Sequence, residues 1–267
     1  MSAVRILGVL NVTEDSFSDG GKYVDPERAI AHGLELHRDG ADAIDLGGAA
    51  SHPGAQAIPP DEEIRRLSPV VDGLASHGVP VSVDSFQPAV QRWAIERGVA
   101  FLNDIHGFPH AEMYPELARA ACRLIVMHAV GGEAARTPTD PHTIVDRVVD
   151  FFTARLRALE AAGIARERVI LDPGMGFFLG ANAEASFEVL RGIGRLRATF
   201  GLPVLVCVSR KSFLGAITGR DARERGAATL AAELFAVRQG VDYLRTHDVR
   251  ALRDALAVTD ALARPED

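Results

Sequence analysis

Cysteine is scarce. Two of 267 residues, Cys122 and Cys207, carry a thiol, and each sits inside an apolar segment. That is too few for a disulfide scaffold or a Cys/His metal cluster, and both read as buried thiols of a reducing compartment. No His-Glu-x-x-His is present, so a tight zinc site is not expected. Long apolar runs are also missing: none reaches the roughly 18 residues of a membrane-spanning helix. Residues 1–10 lack the basic, apolar, small order of a signal peptide, which leads to an expectation of a cytoplasmic protein without a membrane partner. Positive charge is short, with 29 Lys and Arg against 36 Asp and Glu, a net −7. A general nucleic-acid binder is usually basic, so no nucleic-acid partner is expected. The chain has no Gly-x-x-x-x-Gly-Lys-[Ser/Thr], no Gly-x-Gly-x-x-Gly in a strand–helix–strand setting, and no Gly-x-Ser-x-Gly. These absences remove a P-loop ATPase, a dinucleotide fold and a serine-hydrolase elbow. No linker, charge block or low-complexity tract divides residues 1–267, which read as one domain.

What is present is a repeated unit: a short apolar run, a polar glycine-bearing stretch, then a segment of helical period. The runs are Arg5–Leu10, Asp42–Leu46, Pro80–Val83, Ala100–Leu102, Leu124–Met127, Val169–Leu171, Pro203–Val208 and Tyr243–Leu244. Most are rich in Val, Ile and Leu without strict alternation, as parallel strands covered on both faces are. Helices are expected over Pro26–Asp39, Asp61–His77 and Pro141–Ala162, closing near Gly40, Gly78 and Gly163. The first opens with Asp25 as a cap and Pro26 in its first turn. Eight strand–helix units in about 250 residues predict an α/β protein, a (β/α)8 TIM barrel, with a doubly wound sheet as the alternative.

In such barrels chemistry sits at the C-terminal strand ends, and here those ends are polar. They read Asn11, Asp45, Asp84, Asn103-Asp104, His128, Asp172, Ser209-Arg210-Lys211 and Arg245-Thr246-His247. Carboxylates and amides suit a polar heterocycle, and cations suit phosphate. Ser209-Arg210-Lys211-Ser212 opens a helix-period segment whose free N–H groups favour an anion. The plainer alternative, that Asp and Asn cap the following helices, is the favoured reading for Asp45. For Asp84, Asp172, Lys211 and His247 a functional role is favoured. His128 reads as a satisfied strand-end histidine, and Trp93 as a packing residue on a helix.

Seven ordered segments carry a resemblance. They are Leu10-Asn11-Val12-Thr13-Glu14-Asp15-Ser16-Phe17-Ser18-Asp19-Gly20-Gly21, then Asp45-Leu46-Gly47-Gly48 through Pro53-Gly54, Ser82-Val83-Asp84-Ser85-Phe86 and Asn103-Asp104-Ile105. Asp172-Pro173-Gly174-Met175-Gly176-Phe177, Ser209 through Gly215, and Arg245-Thr246-His247-Asp248-Val249 complete the set. Together they resemble the signatures of dihydropteroate synthases, TIM-barrel transferases of folate synthesis that join para-aminobenzoate to hydroxymethyl-dihydropterin pyrophosphate. The resemblance implies Asp172 as the pterin anchor, with Asn103 and Asp84 as further pterin contacts and Lys211 as the cation near the pterin ring. It implies Arg245 and His247 as the pair that binds phosphate, and Asn11 as the contact to Mg²⁺. Asp15 and Ser51 match positions in two loops that close over substrate. Lys211, Asp84, Arg245 and His247 form the catalytic set, acting as electrostatic and positioning groups, since no residue resembles a covalent nucleophile. A homodimer is expected from the family alone. Ala227–Val237, with Leu230, Leu234 and Val237 at helical spacing, is either its interface or a packing face.

One segment departs from the family. Ala49-Ala50-Ser51-His52-Pro53-Gly54 stands where relatives carry Glu-Ser-Thr-Arg-Pro-Gly. Asn103 through Pro109, Gly176-Phe177-Phe178-Leu179-Gly180, Met127-His128 and Pro88 resemble the sulfonamide-resistant, mobile-element-borne branch. That branch implies an altered aminobenzoate pocket that admits the substrate and excludes the bulkier drug. Phe177 and Phe178 are substrate-binding candidates there, and Phe178 either clashes with the drug or packs as a core residue under the loop. Two other readings stay open: a pterin-binding paralogue without catalysis, and a methyltetrahydrofolate–corrinoid transferase.

Overall fold

The computed structural model describes residues 4–13, 25–49, 58–131 and 137–263. Asp15, Ser51 and His52 lie outside the described residues. Eight parallel strands form the barrel, in the neighbour order β6-β5-β4-β3-β2-β1-β8-β7. They are β1 (Arg5–Asn11), β2 (Ala43–Gly47), β3 (Val81–Asp84), β4 (Phe101–Asp104), β5 (Arg123–Met127), β6 (Val169–Asp172), β7 (Leu205–Val206) and β8 (Tyr243–Thr246). The helices are α1 (Pro26–Arg38), α2 (Pro60–Ser76), α3 (Pro88–Glu96), α4 (Tyr114–Arg119), α5 (Ile144–Ala161), α6 (Ala183–Arg191), α7 (Ile193–Phe200), α8 (Ser212–Thr218), α9 (Gly226–Arg238) and α10 (Val249–Leu262). The barrel expectation holds, and the doubly wound alternative does not: β1 pairs with both β2 and β8. Ring closure between β6 and β7 rests on one bridge, Leu171 to Val204, and on Leu171 N–H donating to Pro203 O at 2.9 Å.

Local chemistry sets the element ends. Asp25 caps α1 by accepting from Glu27 and Arg28 N–H, as its place before Pro26 requires. Helix α5 starts later than expected, at Ile144 rather than Pro141. Asp140 accepts from His142 N–H through its side chain and from Thr143 N–H through its carbonyl, folding 141–143 into a turn instead of a first helical turn. The seventh strand is shorter than the Pro203–Val208 run. Pro203 has no N–H to give the ladder, and Val204 N–H is taken by the Asp242 carboxylate at 2.9 Å.

Two apolar layers result. Leu7, Ala43, Phe101, Ile125, Ile170, Leu205 and Tyr243 meet on the barrel axis, and a larger cluster fills the shell between strands and helices. Because side chains alternate along a strand, the residues two positions beyond the axial layer return to the inside. Asp45, Asn103, Asp172 and Arg245 follow Ala43, Phe101, Ile170 and Tyr243 in this way. The barrel plug therefore delivers a ring of polar groups to the C-terminal mouth.

Candidate functional site

At that mouth lies a cavity of about 590 Å³ lined in part by Asn11, Asp45, Asp84, Lys211, Arg245 and His247. Phe177, Phe178, Cys207, Arg210 and Arg225 also border it. Seven of the site residues expected from sequence thus share one cavity. Asp172 and Asn103 belong to the same inner ring: Asp172 contacts Arg245, and Asn103 lies in register beside Asp84.

Arg245 is the electrostatic centre. Its Nη1 donates to Asp45 Oδ2 at 3.1 Å and its Nη2 to Asp172 Oδ2 at 3.4 Å, with all three side chains buried. Burial works against its charge, but Asp45, Asp172 and Asp84 outweigh that and hold it firmly protonated. The helix-cap reading of Asp45 is thereby corrected: its carboxylate turns into the barrel, and its Oδ1 has no partner. The alternation that separates it from a cap also separates Asp104 from Asn103. Asp104 points outward, accepting from Gln91 Nε2 and His106 N–H, and braces the strand end.

Asn103 is fully buried, yet neither its Oδ1 nor its Nδ2 has a hydrogen-bond partner. A buried amide left unmatched costs about 1–3 kcal/mol per group, so it is poised for a ligand with one donor and one acceptor. Beside it the Asp84 carboxyl is pushed up to about 8, first by burial and then by the neighbouring Asp45, against the pull of Arg245. Its neutral form is thereby favoured, and in that form it can both donate and accept. Burial also raises the Asp172 carboxyl, against the pull of Arg245 and of Gly174 N–H, which donates to Oδ1 at 2.9 Å. Only glycine fits at Gly174, where φ is +72° and a Cβ would lie 2.3 Å from His128 O.

His247 is held differently from a phosphate-binding cation. Burial, then Arg210, Lys211 and Arg245, drive its pKa down to about 4, so the ring is neutral at pH 7 and offers an N–H rather than a charge. Its Nδ1 is 2.9 Å from Ser209 Oγ, and its backbone N–H donates to the same oxygen at 3.2 Å. With the Ser209 hydroxyl donating to Nδ1, the ring proton sits on Nε2. His128 is the satisfied strand-end histidine expected: Nδ1–H donates to Pro173 O at 3.1 Å, and burial takes its pKa down to about 4.

The cationic rim follows β7. Lys211 sets its Nζ 4.7 Å from the centre of the Phe178 ring, a cation–π distance. Phe178 is half-buried, its carbonyl accepting from Val130 N–H, and Phe177 is exposed. Arg210 is held at φ +60° by its N–H donating to Thr229 Oγ1 and its carbonyl accepting from Arg225 Nη1. Arg225, which sequence reading passed over, lies over Gly215, where a Cβ would meet Nη2 at 2.2 Å. Among the described residues no group of three His, Cys, Asp or Glu can hold a metal ion. Asn11, exposed at the end of β1, is the neutral oxygen donor at the mouth.

Comparison with known proteins gives a consistent result. A family model described as pterin binding enzyme matches residues 7–247. Dihydropteroate synthase type-2 of Escherichia coli is 55% identical over 258 residues, covering 96% of this chain and 95% of that protein. Dihydropteroate synthase type-3 of Escherichia coli is 51% identical over 97% of this chain and 99% of that one. The structure of Xanthomonas albilineans dihydropteroate synthase with 4-aminobenzoic acid superposes with a TM-score of 0.90 at 38% identity, covering 99% and 95% of the two chains. The same enzyme in complex with 7,8-dihydropteroate gives a TM-score of 0.87 at 37% identity over 99% and 95%.

Proposed function

The chain belongs to the family of pterin binding enzymes, and from that membership we infer a dihydropteroate synthase. It joins para-aminobenzoate to hydroxymethyl-dihydropterin pyrophosphate, yielding dihydropteroate and pyrophosphate in folate biosynthesis. The observation that carries this reading is the unmatched amide of Asn103 beside the inward carboxyls of Asp84 and Asp172. A pterin presents adjacent N–H donors and a carbonyl along one edge. Asp172 accepts two of those donors, and Asn103 and Asp84 meet the remaining ring atoms. A ligand lacking them leaves buried groups unpaired, which is how such a pocket discriminates.

The reading needs no covalent nucleophile: Ser209 is engaged with His247, and the supported route is dissociative. The C–O bond to the pyrophosphate breaks with its electron pair going to the leaving group. The arylamine nitrogen then attacks the methylene carbon and gives up a proton. Inward carboxylates outnumber Arg245 at the pterin end and oppose the positive charge that develops there, while the His247 N–H and the basic rim face the leaving pyrophosphate. Preset dipoles and charges of this kind supply most of such a rate gain. Asn11 would hold a Mg²⁺, whose charge would offset that of the pyrophosphate. Magnesium commonly takes most of its oxygens from phosphate and water, so the single donor Asn11 fits it, with no carboxylate cage needed.

Phe178 supports a second part of the proposal, low sulfonamide sensitivity. Stacked on Lys211, it narrows the arylamine side of the cavity; a flat carboxylate passes, and a substituted sulfonyl group meets the ring. The test is pyrophosphate release from the pterin substrate with Mg²⁺, with para-aminobenzoate, with a sulfonamide, or with neither. Release that needs para-aminobenzoate is expected, and its absence with pterin still bound returns the weight to a silent paralogue. Phe178→Ala is expected to tighten sulfonamide inhibition roughly 10- to 100-fold with little change in KM for para-aminobenzoate. Equal inhibition of both enzymes sinks the role given to Phe178.

The setting follows from smaller observations. Two unpaired buried thiols support a reducing, cytoplasmic location, and no helix among the described residues is long and apolar enough to cross a membrane. Pairing of two copies is supported by α9. Its buried face includes Thr229 and Glu233, leaving Leu230, Leu234 and Phe235 partly exposed. Light scattering reads that state directly: a dimer is expected, and a monomer at micromolar concentration overturns it.

A further inference from the structure

Helix α9 brings two polar side chains, one turn apart, onto the outside of the strands that carry the anion side of the site. Thr229 Oγ1 accepts from Arg210 N–H at 3.0 Å, just after β7. Glu233 is 98% buried and hydrogen-bonds the Thr246 side chain, between Arg245 and His247 on β8. The Thr246 hydroxyl also accepts from Asp248 N–H at 3.3 Å, and Asp248 in turn caps α10 by accepting from Ala251 N–H. The second carboxyl oxygen of Glu233, Oε1, has no partner. A buried carboxyl half-matched in this way is expensive to ionise, and the outward face of β8 excludes it from contact with substrate.

We propose that Glu233 is a positioning residue for the pyrophosphate end of the site, holding from outside the barrel the end of β8 that presents His247, and weakening its pull on an anion whenever the carboxyl is ionised. The proposal rests on the synthase reading of the same mouth. Burial, with repulsion from Asp248, pushes the Glu233 carboxyl up to about 7 against the opposing bond from Thr246. Of the other charges around α9, Arg225 bonds the Arg210 and Arg220 carbonyls and Asp254 of α10 acts on Arg250. Arg245 is tied to Asp45 and Asp172 inside the barrel, the His247 ring is held on Ser209, Arg250 and Arg253 bond Asp39 and Asp42, and Arg238 lies over Phe235. Helix α8, packed on its other side, carries no titratable residue. Below neutral pH Glu233 is uncharged. Above it, a negative charge stands behind the anion site, so affinity for pyrophosphate falls as pH rises.

The test is calorimetric binding of inorganic pyrophosphate at fixed Mg²⁺ to the wild-type protein, Glu233→Gln and Thr246→Val, between pH 5.5 and 8.5. Pyrophosphate itself titrates in this range, so the informative quantity is the ratio of wild-type to Glu233→Gln dissociation constants. That ratio is expected near one at low pH and roughly fivefold at high pH, the size of one added charge at about 10 Å in a partly screened site. Thr246→Val removes the bond that favours the ionised form and is expected to move the transition to higher pH. It keeps the proposal exposed if the glutamine variant does not fold. A ratio flat across pH, or an unmoved transition in Thr246→Val, overturns the inference alone. No pyrophosphate binding by any variant overturns the synthase reading with it.

Discussion

Replacing Arg245 with methionine is expected to cost about 3–5 kcal/mol of folding stability at neutral pH, the usual result of deleting one member of a buried charge group. Asp45 and Asp172 lose the guanidinium that now reaches both, and Asp84 loses the positive charge that works against its protonation. The sign with pH follows from the carboxyls. Without Arg245 the raised carboxyls of Asp84 and Asp172 favour the neutral form even more, so the native state takes up protons that the unfolded chain does not. The deficit therefore grows as pH rises from about 5 to 8 and shrinks on acidification. Denaturant melts of both proteins at pH 5.5 and 7.5 check this, together with kcat/KM for the pterin pyrophosphate, which is expected to fall at least about a thousandfold. Equal midpoints at both pH values rule out Arg245 as the centre of the site.

Asp172→Asn is expected to spare the fold and remove the chemistry. The amide oxygen can still accept from Gly174 N–H, so the turn after β6 survives. At the other position an N–H₂ replaces an oxygen and faces both Arg245 and the pterin donors, setting donor against donor. A loss of about a thousandfold or more in kcat/KM is expected, as when a pocket built to hydrogen-bond its substrate is mismatched. Loss of pterin binding should accompany it, in a protein that still unfolds cooperatively but melts below wild type, because Arg245 loses one of its two buried carboxylate partners. A variant that binds pterin normally refutes Asp172 as the anchor. Phe178→Ala, which should leave pterin binding intact, is the contrasting control.

Much of this architecture is written in local pattern. The eight apolar runs mark the strands, because a parallel strand covered on both faces needs little else. Asp25-Pro26 marks a helix start for the same local reason. What pattern does not carry is which way a polar residue at a strand end points. Asp45 and Asp104 look alike in sequence; one meets Arg245, the other Gln91. The difference is a count of two from the axial layer, and it needs the register to be known. Glu233 is less legible still. It sits in an apolar helical stretch like an ordinary solvent-facing glutamate, and only the packing of α9 against β8 turns it inward. The neutrality of His247 is equally non-local, since burial and the nearby Arg210, Lys211 and Arg245 converge from two strands. Residues 14–24 and 50–57, which hold Asp15 and Ser51, add expectations that rest on resemblance.

The thin closure between β6 and β7 has a consequence for how the empty and occupied protein differ. One bridge and a two-residue strand hold that seam, whereas every other neighbouring pair around the barrel shares a longer ladder or lies against a full strand. Fluctuations open a structure where it is least tied, so this wall breathes first. Asp172 ends the strand on one side of the seam and Lys211 follows the strand on the other. A pterin gripped by both acts as a suture across it, and the amide of Leu171, which donates across the seam to Pro203 O, should exchange with solvent more slowly with pterin bound than without it. Substrate in this protein is therefore also a missing piece of its wall.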